Sequence, residues 1–201
     1  MPRPFRTVAS HALADVTPLK ASADYRRLWL GLSVSQIGQQ MTAVAVAIQV
    51  YAITGSTFAV GLVGLVSLGP LVGFGLYGGS ISDAIDRRVV ALASSTGLWL
   101  LSLVLLAQAV LELDQVWLIY LVVGLQSACY AVNHPARQAM VPRLLPLEML
   151  PAAQALTSLS FNLGFTLGPL VGAALIGVGG FPLAYGVDAV TFLAALYALW
   201  R

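Results

Sequence analysis

The most constraining feature of this sequence is a series of long stretches without a single Asp, Glu, Lys or Arg. They cover residues 28–82, 89–111, 115–136 and 149–187. A helix needs about 20 mostly apolar residues to cross the hydrocarbon core of a bilayer, which is roughly 30 Å thick. The two middle stretches can therefore hold one crossing each, and the two outer stretches can hold two each if a turn divides them.

Both outer stretches contain a turn signal. Residues 54–57 read TGST and residues 177–182 read GVGGFP, and segments rich in Gly, Ser and Pro interrupt helices. We therefore predict an all-α membrane protein, with a cytoplasmic N-terminal tail (1–27) followed by a six-helix transmembrane bundle (28–201). The predicted spans are about 28–51, 57–82, 89–111, 115–137, 151–176 and 183–200.

The composition excludes several classes of protein. Only 9% of the residues are charged, whereas soluble proteins have about 25%, so the lipid bilayer is the expected solvent. The basic residues form no patch with interleaved aromatic residues, and nucleic acid is therefore not an expected partner. One cysteine, two histidines and the lack of a phosphate-binding loop predict no metal, no cofactor and no enzymatic activity.

The basic residues predict the orientation in the membrane. If the spans are right, all ten lie on one side, and the opposite loops carry only Glu112 and Asp114 or no charge. Since Lys and Arg are retained on the cytoplasmic side, both termini are expected to be cytoplasmic, in a multi-pass protein of the cell membrane. The ten are Arg3, Arg6, Lys20, Arg26, Arg27, Arg87, Arg88, Arg137, Arg143 and Arg201.

The connection between the second and third predicted spans carries a recognisable motif. Residues 79–88 read GSISDAIDRR. The segment resembles the loop signature of the major facilitator superfamily at Gly79, Asp83, Arg87 and Arg88, and its Asp86-Arg-Arg variant is similar to the macrolide-efflux and enterobactin-exporter-like branch. The resemblance implies that these residues latch the loop to the other half of a transporter. From the residues alone, a positive-inside anchor with a helix cap is an equally simple interpretation.

A second motif lies in the fifth predicted span. Residues 164–173 read GFTLGPLVGA, which is similar to the antiporter motif GxxxGPxxGG of the same superfamily. The resemblance rests on Gly164, Gly168, Pro169 and Gly172, and it implies a bend that seals a leak path in exporters. Glycines four residues apart also let helices approach closely, so plain helix packing is the alternative.

Polar residues in the fourth predicted span form a stripe. Gln126, Tyr130, Asn133, His134 and Arg137 follow the spacing i, i+4, i+7, i+8 and i+11, which places them on one helical face. A polar stripe is expensive to expose to lipid, so it is expected to line a cavity or a substrate path. The alternative is hydrogen bonding between neighbouring helices.

Two further sets of polar residues lie inside predicted spans. Gln36 and Gln40 in the first span are expected to line the cavity, because the resemblance places the first and fourth spans around it; hydrogen bonding to neighbouring helices is the alternative. Asp188 in the sixth span is an intramembrane acid and hence a functional candidate. The alternative is a shallow carboxylate that water reaches and a helix terminus binds.

Together these features predict an efflux-type secondary transporter for a small amphipathic compound, such as a drug or a siderophore, with a proton as the candidate coupling ion. Superfamily members alternate access between two six-helix repeats, and this chain contains one. We expect it to be a truncated N-terminal half, with a half-size unit that dimerises as the alternative. The competing class is a non-transporting six-helix scaffold or partner subunit.

Overall fold

The computed structural model describes residues 15–84 and 86–200, and for residues 76–84 it describes the backbone alone. Every regular element in this part of the chain is helical, which confirms the predicted all-α membrane fold. The helices are α1 (Thr17–Ala21), α2 (Ala23–Thr54), α3 (Thr57–Ala84), α4 (Arg87–Val110), α5 (Val116–Gln138), α6 (Val141–Leu144) and α7 (Leu150–Trp200), with a 3-10 turn at Leu147–Met149 before α7.

Five segments among the described residues are long and apolar enough to cross a membrane, judged by length and composition. The last of them, Leu147–Trp200, has 54 residues and would be about 80 Å long as a straight helix, far more than one bilayer thickness. The number of crossings depends on how this segment is divided, and the count of six stays a prediction. The segments are Ala23–Thr54, Thr57–Gly75, Arg87–Val110, Val116–Leu144 and Leu147–Trp200.

The backbone of α7 leaves the helical conformation at two consecutive glycines. Gly179 has φ −137° and ψ 17°, and Gly180 has φ 69° and ψ −170°, a combination that is essentially restricted to glycine. This break lies in the segment from which we predicted a turn. It divides α7 into an N-terminal arm (150–178) and a C-terminal arm (181–200), and each arm is long enough to span most of a bilayer.

The other helix ends follow local signals. Ser22 caps α2 by accepting a hydrogen bond from Tyr25 N at 3.2 Å, and α2 ends at Gly55, whose φ of 62° is left-handed. Asp86 caps α4 by accepting from Arg88 N at 2.8 Å. Helix α3 continues to Ala84, so much of the segment expected as a connecting loop is helical.

Helix α2 lies between the two arms of α7, and glycines set both contacts. On the N-terminal arm, a Cβ at Gly164 would lie 3.0 Å from Gln36 Cγ, and one at Gly172 would lie 3.2 Å from Met41 Cα. These distances are too short for a larger residue to be added without movement. The glycines of the antiporter-like motif therefore form the surface on which α2 packs.

On the opposite side, α2 supplies the glycines and the C-terminal arm supplies the partners. A Cβ at Gly31 would lie 2.7 Å from Ala198 Cβ, and one at Gly38 would lie 2.5 Å from Asp188 Oδ1. Close backbone approach through small residues is the usual means of packing helices in lipid, where burial of apolar surface gives little driving force. Small residues on both sides of α2 thus hold three helical segments together.

Arg87 and Arg88 connect the start of α4 to the ends of two other helices. Arg87 Nη1 donates to Ala139 O at 3.3 Å, at the end of α5. Arg88 donates from Nε to Leu199 O at 3.2 Å and from Nη2 to Trp200 O, at the end of α7. Cations stabilise helix C-termini because unpaired carbonyls give these ends partial negative charge. Gly79 and Asp83 of the same motif lie in α3, outside the residues whose side chains are described.

Substitution of Gly168 should destabilise the bundle. A Cβ there would collide with Gln40 Cβ and lie 3.1 Å from Ile37 O, so we expect Gly168→Ala to lower the free energy of unfolding by about 1–3 kcal/mol through overpacking. Gly73→Ala in α3 is the matched control, since nothing lies within 4 Å of its added Cβ. Circular dichroism during titration with SDS in mixed micelles measures both; equal stabilities would contradict the packing role of Gly168.

Loss of the Arg88 side chain should loosen the end of α7. We expect Arg88→Ala to lower the free energy of unfolding by about 1 kcal/mol, because the variant loses charge-assisted bonds to terminal carbonyls at a partly exposed site. Arg143→Ala, at an exposed position in α6, should change it little. Hydrogen exchange of the last turn of α7 gives the local readout, and unchanged protection in the Arg88 variant would argue against the contact.

Candidate functional site

Two cavities containing polar side chains lie among α2, α3, α5 and α7. The first, which we call the deep cavity because the buried Asp188 lies in its wall, has a volume of about 280 Å³. The second, which we call the Arg137 cavity, lies nearer the N-terminal end of α2, is lined by Trp29, His134 and Arg137 among others, and has a volume of about 100 Å³. Tyr130 of α5 lies in the wall of both. The polar residues of the deep cavity are Gln39, Thr42, Ser67, Gln126, Ser127, Tyr130 and Asp188.

Asp188 joins three helices at the wall of the deep cavity. Its Oδ2 accepts hydrogen bonds from Thr42 Oγ1 of α2 at 2.8 Å and from Ser102 Oγ of α4 at 2.7 Å. The residue is 1% exposed, and its Oδ1 has no hydrogen-bond partner among the residues that the structure describes. The carboxyl group is therefore buried and bound by side chains of other helices, which differs from the shallow, water-reached carboxylate that was the sequence-based alternative.

Glycine at position 38 makes room for this arrangement. A Cβ there would lie 2.5 Å from Asp188 Oδ1, so any larger residue would displace the carboxyl group. Thr191 Oγ1, one turn further along α7, donates back to Asp188 O at 2.8 Å and faces the same glycine. The acid is thus enclosed by hydroxyl groups on one side and by a glycine backbone on the other.

The Arg137 cavity has aromatic walls held in place by hydrogen bonds and ring contacts. Trp29 Nε1 donates to Leu156 O at 3.2 Å, which fixes the indole of α2 against α7. The rings of Tyr130 and His134 lie with centroids 5.6 Å apart and an interplanar angle of 32°. Phe161 of α7 completes this aromatic lining.

The same cavity contains hydroxyl, amide and guanidinium groups. Ser33 Oγ lies 2.7 Å from Ser160 Oγ, across the contact between α2 and α7. Gln36 and Gln138 also line the space. Arg137 Nη2 donates to Ser95 Oγ of α4 at 2.9 Å, while its buried Nε has no hydrogen-bond partner in the part of the chain that the structure describes. Such a site can bind a small ligand that has both an aromatic and a polar part.

Most of the predicted cavity residues lie at one of these cavities. Gln126 and Tyr130 line the deep cavity, and Gln36, His134 and Arg137 line the other. Most of the polar stripe of α5 therefore borders the two cavities, and His134 is exposed at one of them.

Two predicted residues do not line either cavity. Gln40 packs against Gly168 in the contact between α2 and α7. Asn133 is 1% exposed, and its Nδ2 lies 3.1 Å from Ala91 O and 2.7 Å from Ser94 Oγ on α4. The physical reason is that one helical face can border two neighbours, and Asn133 lies at the edge of the stripe that faces α4.

Sequence reasoning missed the hydroxyl partners of Asp188. Thr42 and Ser102 lie 146 and 86 residues away from it in the chain, and single Ser and Thr residues are common in apolar helices. Gly38 likewise has no distinguishing local pattern. Only the packing of the helices brings these residues together.

Comparison with known proteins places the chain in a family. Residues 13–201 match the model of the transmembrane secretion effector family of the major facilitator superfamily. The chain is 32% identical over 188 residues to an enterobactin exporter of Shigella boydii and 33% identical over 189 residues to one of Citrobacter koseri; in both cases the match covers 92% of this chain and 44% of the relative.

The chain thus spans less than half the length of these relatives. An enterobactin exporter of Escherichia coli O139:H28 matches in the same way, at 31% identity. No solved structure matches the chain. The family match covers nearly the whole sequence and agrees with the apolar helices of the fold. The chain belongs to the transmembrane secretion effectors, an efflux-type family of multi-pass transporters in the major facilitator superfamily.

Proposed function

We propose that this protein exports a small amphipathic compound across the cell membrane, by alternating access and together with a second six-helix body. The observation that carries the proposal is the pair of cavities with polar side chains inside a bundle of apolar helices. Polar side chains are costly inside a membrane unless they bind one another, water or a ligand. Two such cavities sharing Tyr130 are consistent with a path for a solute.

The matched relatives support the direction of transport. These relatives are named as exporters of enterobactin, and this chain covers 44% of their length. For this protein the corresponding substrate is a compound with both polar and apolar parts, in accord with a cavity that combines aromatic rings and amide groups. The ten basic residues on one predicted side support cytoplasmic termini.

The second six-helix body is either a further part of a longer protein or a second copy of this chain. Superfamily transporters bind substrate between two repeats and move one against the other. The N-terminal arm of α7 and α3 expose large apolar side chains, among them Phe58, Leu65 and Leu170, which suit contact with lipid or with another helical body.

Accumulation of a fluorescent dye and of a macrolide in cells tests export. Expression of the gene should lower the accumulation of at least one compound, and a protonophore should restore it, because a secondary transporter depends on an ion gradient. If no compound in a broad panel accumulates differently, the export proposal loses its basis. An effect that persists in the presence of the protonophore would contradict proton coupling.

Asp188 is the proposed carrier of the coupling proton. A carboxyl group bound by hydroxyls from two helices, with its second oxygen unpartnered, can exchange a proton when those helices move. We expect Asp188→Asn to abolish gradient-driven export, because the amide keeps the size and the hydrogen bonds but cannot titrate. Asp114→Asn is the control: this acid lies in the connection between α4 and α5, at a left-handed position that asparagine tolerates.

The measurement is dye efflux from energised cells at matched expression levels. The Asp188 variant should be inactive and the Asp114 variant active. Full export by Asp188→Asn would contradict the role of Asp188 while leaving the export proposal intact.

A further inference from the structure

The guanidinium group of Arg137 is partly buried and has no anionic partner among the described residues. It is in the last turn of α5, at the wall of the Arg137 cavity. Its hydrogen bond goes to the neutral hydroxyl of Ser95, and its buried Nε has no hydrogen-bond partner in the described part of the chain. An arginine presents five N–H donors, and burying a cation without a matching anion is costly. The group therefore has hydrogen-bonding capacity left for an anion.

Within residues 15–84 and 86–200, where the side chains of 76–84 are not described, no acidic side chain lines this cavity. Among the described residues, Asp24 forms a surface ion pair with Arg27 at 3.4 Å, and Asp86 caps α4. Asp188 lies at the deep cavity, where hydroxyl groups bind it. Arg137 forms no ion pair with any described residue. An anion that comes from outside the bundle could therefore bind to it.

The surroundings of Arg137 restrict the shape of that anion. Trp29, Tyr130 and Phe161 contribute aromatic surface to the cavity, and Trp29 is fixed by its bond to Leu156 O. Aromatic rings bind other rings by offset or edge-to-face contact. A planar ring carrying an oxyanion could place its ring among these side chains and its charge at Arg137.

We propose that the Arg137 cavity is a binding site for the anionic group of an aromatic substrate. The carboxylate or comparable oxyanion of the ligand accepts hydrogen bonds from Arg137, and the ring of the ligand packs among Trp29, Tyr130 and Phe161. The inference rests on the proposed export function in one respect, because it takes the aromatic anion that binds here to be the exported substrate. It requires no change of covalent bonds.

A set of three ligands with one ring and different charges tests this site. The chain is reconstituted in nanodiscs of phosphatidylcholine, and saturation-transfer NMR measures the binding of benzoate, benzamide and benzylammonium. Benzoate should bind most tightly. Arg137→Gln should weaken benzoate binding about ten- to a hundredfold, the factor expected for a charge-assisted hydrogen bond, and should leave benzamide binding unchanged. Arg137→Lys should retain part of the preference for benzoate.

Arg143→Gln is the matched control, because it removes the same charge at an exposed position that lies outside the Arg137 cavity. It should not alter benzoate binding. Benzamide binding by the Arg137 variants shows that the cavity is still folded. The proposal would be overturned if the unsubstituted protein bound benzoate and benzamide with equal affinity. It would also be overturned if Arg137→Gln weakened the binding of all three ligands by the same factor.

A lipid headgroup offers the same oxyanion chemistry as a substrate. Nanodiscs that also contain phosphatidylglycerol distinguish the two sources. Undiminished benzoate binding supports a substrate site, whereas its abolition by the anionic lipid assigns the cavity to a headgroup and overturns the proposal. The dye-accumulation assay separates this inference from the export function: Arg137-dependent benzoate binding without any export leaves the site standing and removes the transport proposal.

Discussion

The close approach of α2 to both arms of α7 is the contact on which the rest of the structure depends. On one side Gly164 and Gly172 allow α2 to approach, and on the other side Gly31 and Gly38 of α2 allow the C-terminal arm to approach. In lipid, where apolar side chains gain little by leaving their surroundings, such backbone proximity replaces the hydrophobic effect as the source of association. The break at Gly179 and Gly180 allows α7 to turn back and reach α2 twice.

This packing determines where the few charged and polar groups of the interior lie. Because Gly38 faces Asp188, the carboxyl group can approach α2 closely enough to bind Thr42. Because α2 passes along the N-terminal arm, Trp29 and Ser33 reach α7 and form one wall of the Arg137 cavity. One acid and one cation thus occupy separate cavities of the same bundle, and neither neutralises the other.

The cost of charge in lipid makes much of this fold predictable from the sequence. Gaps between charged residues indicate the apolar helices, and the glycines of residues 54–57 and 177–182 indicate where α2 ends and where α7 breaks. Helix boundaries differ from the predicted spans because helices extend beyond the hydrocarbon core: α2 begins at Ala23, where Ser22 caps it. Helical spacing likewise indicates that Tyr130, His134 and Arg137 share the face of α5 that lines the cavities.

Contacts between distant segments are what the sequence cannot specify. Nothing near Thr42 or Ser102 marks either as a partner of Asp188, and nothing near Asn133 indicates that α4 binds it. The spacing of the antiporter-like glycines likewise predicts a smooth helical face, but it does not indicate which helix packs against that face. These features depend on the relative positions of whole helices.

Disulfide formation between α2 and the two arms of α7 tests the central claim most directly. In a Cys129→Ser background, the pair Ser33→Cys with Ser160→Cys probes the N-terminal arm, where the two side-chain oxygens lie 2.7 Å apart, within reach of a disulfide. The pair Thr42→Cys with Asp188→Cys probes the C-terminal arm, where the two side-chain oxygens lie 2.8 Å apart. We predict that both pairs cross-link in membranes under mild oxidation. Failure of either pair, at normal expression, would contradict the placement of α2 between the arms.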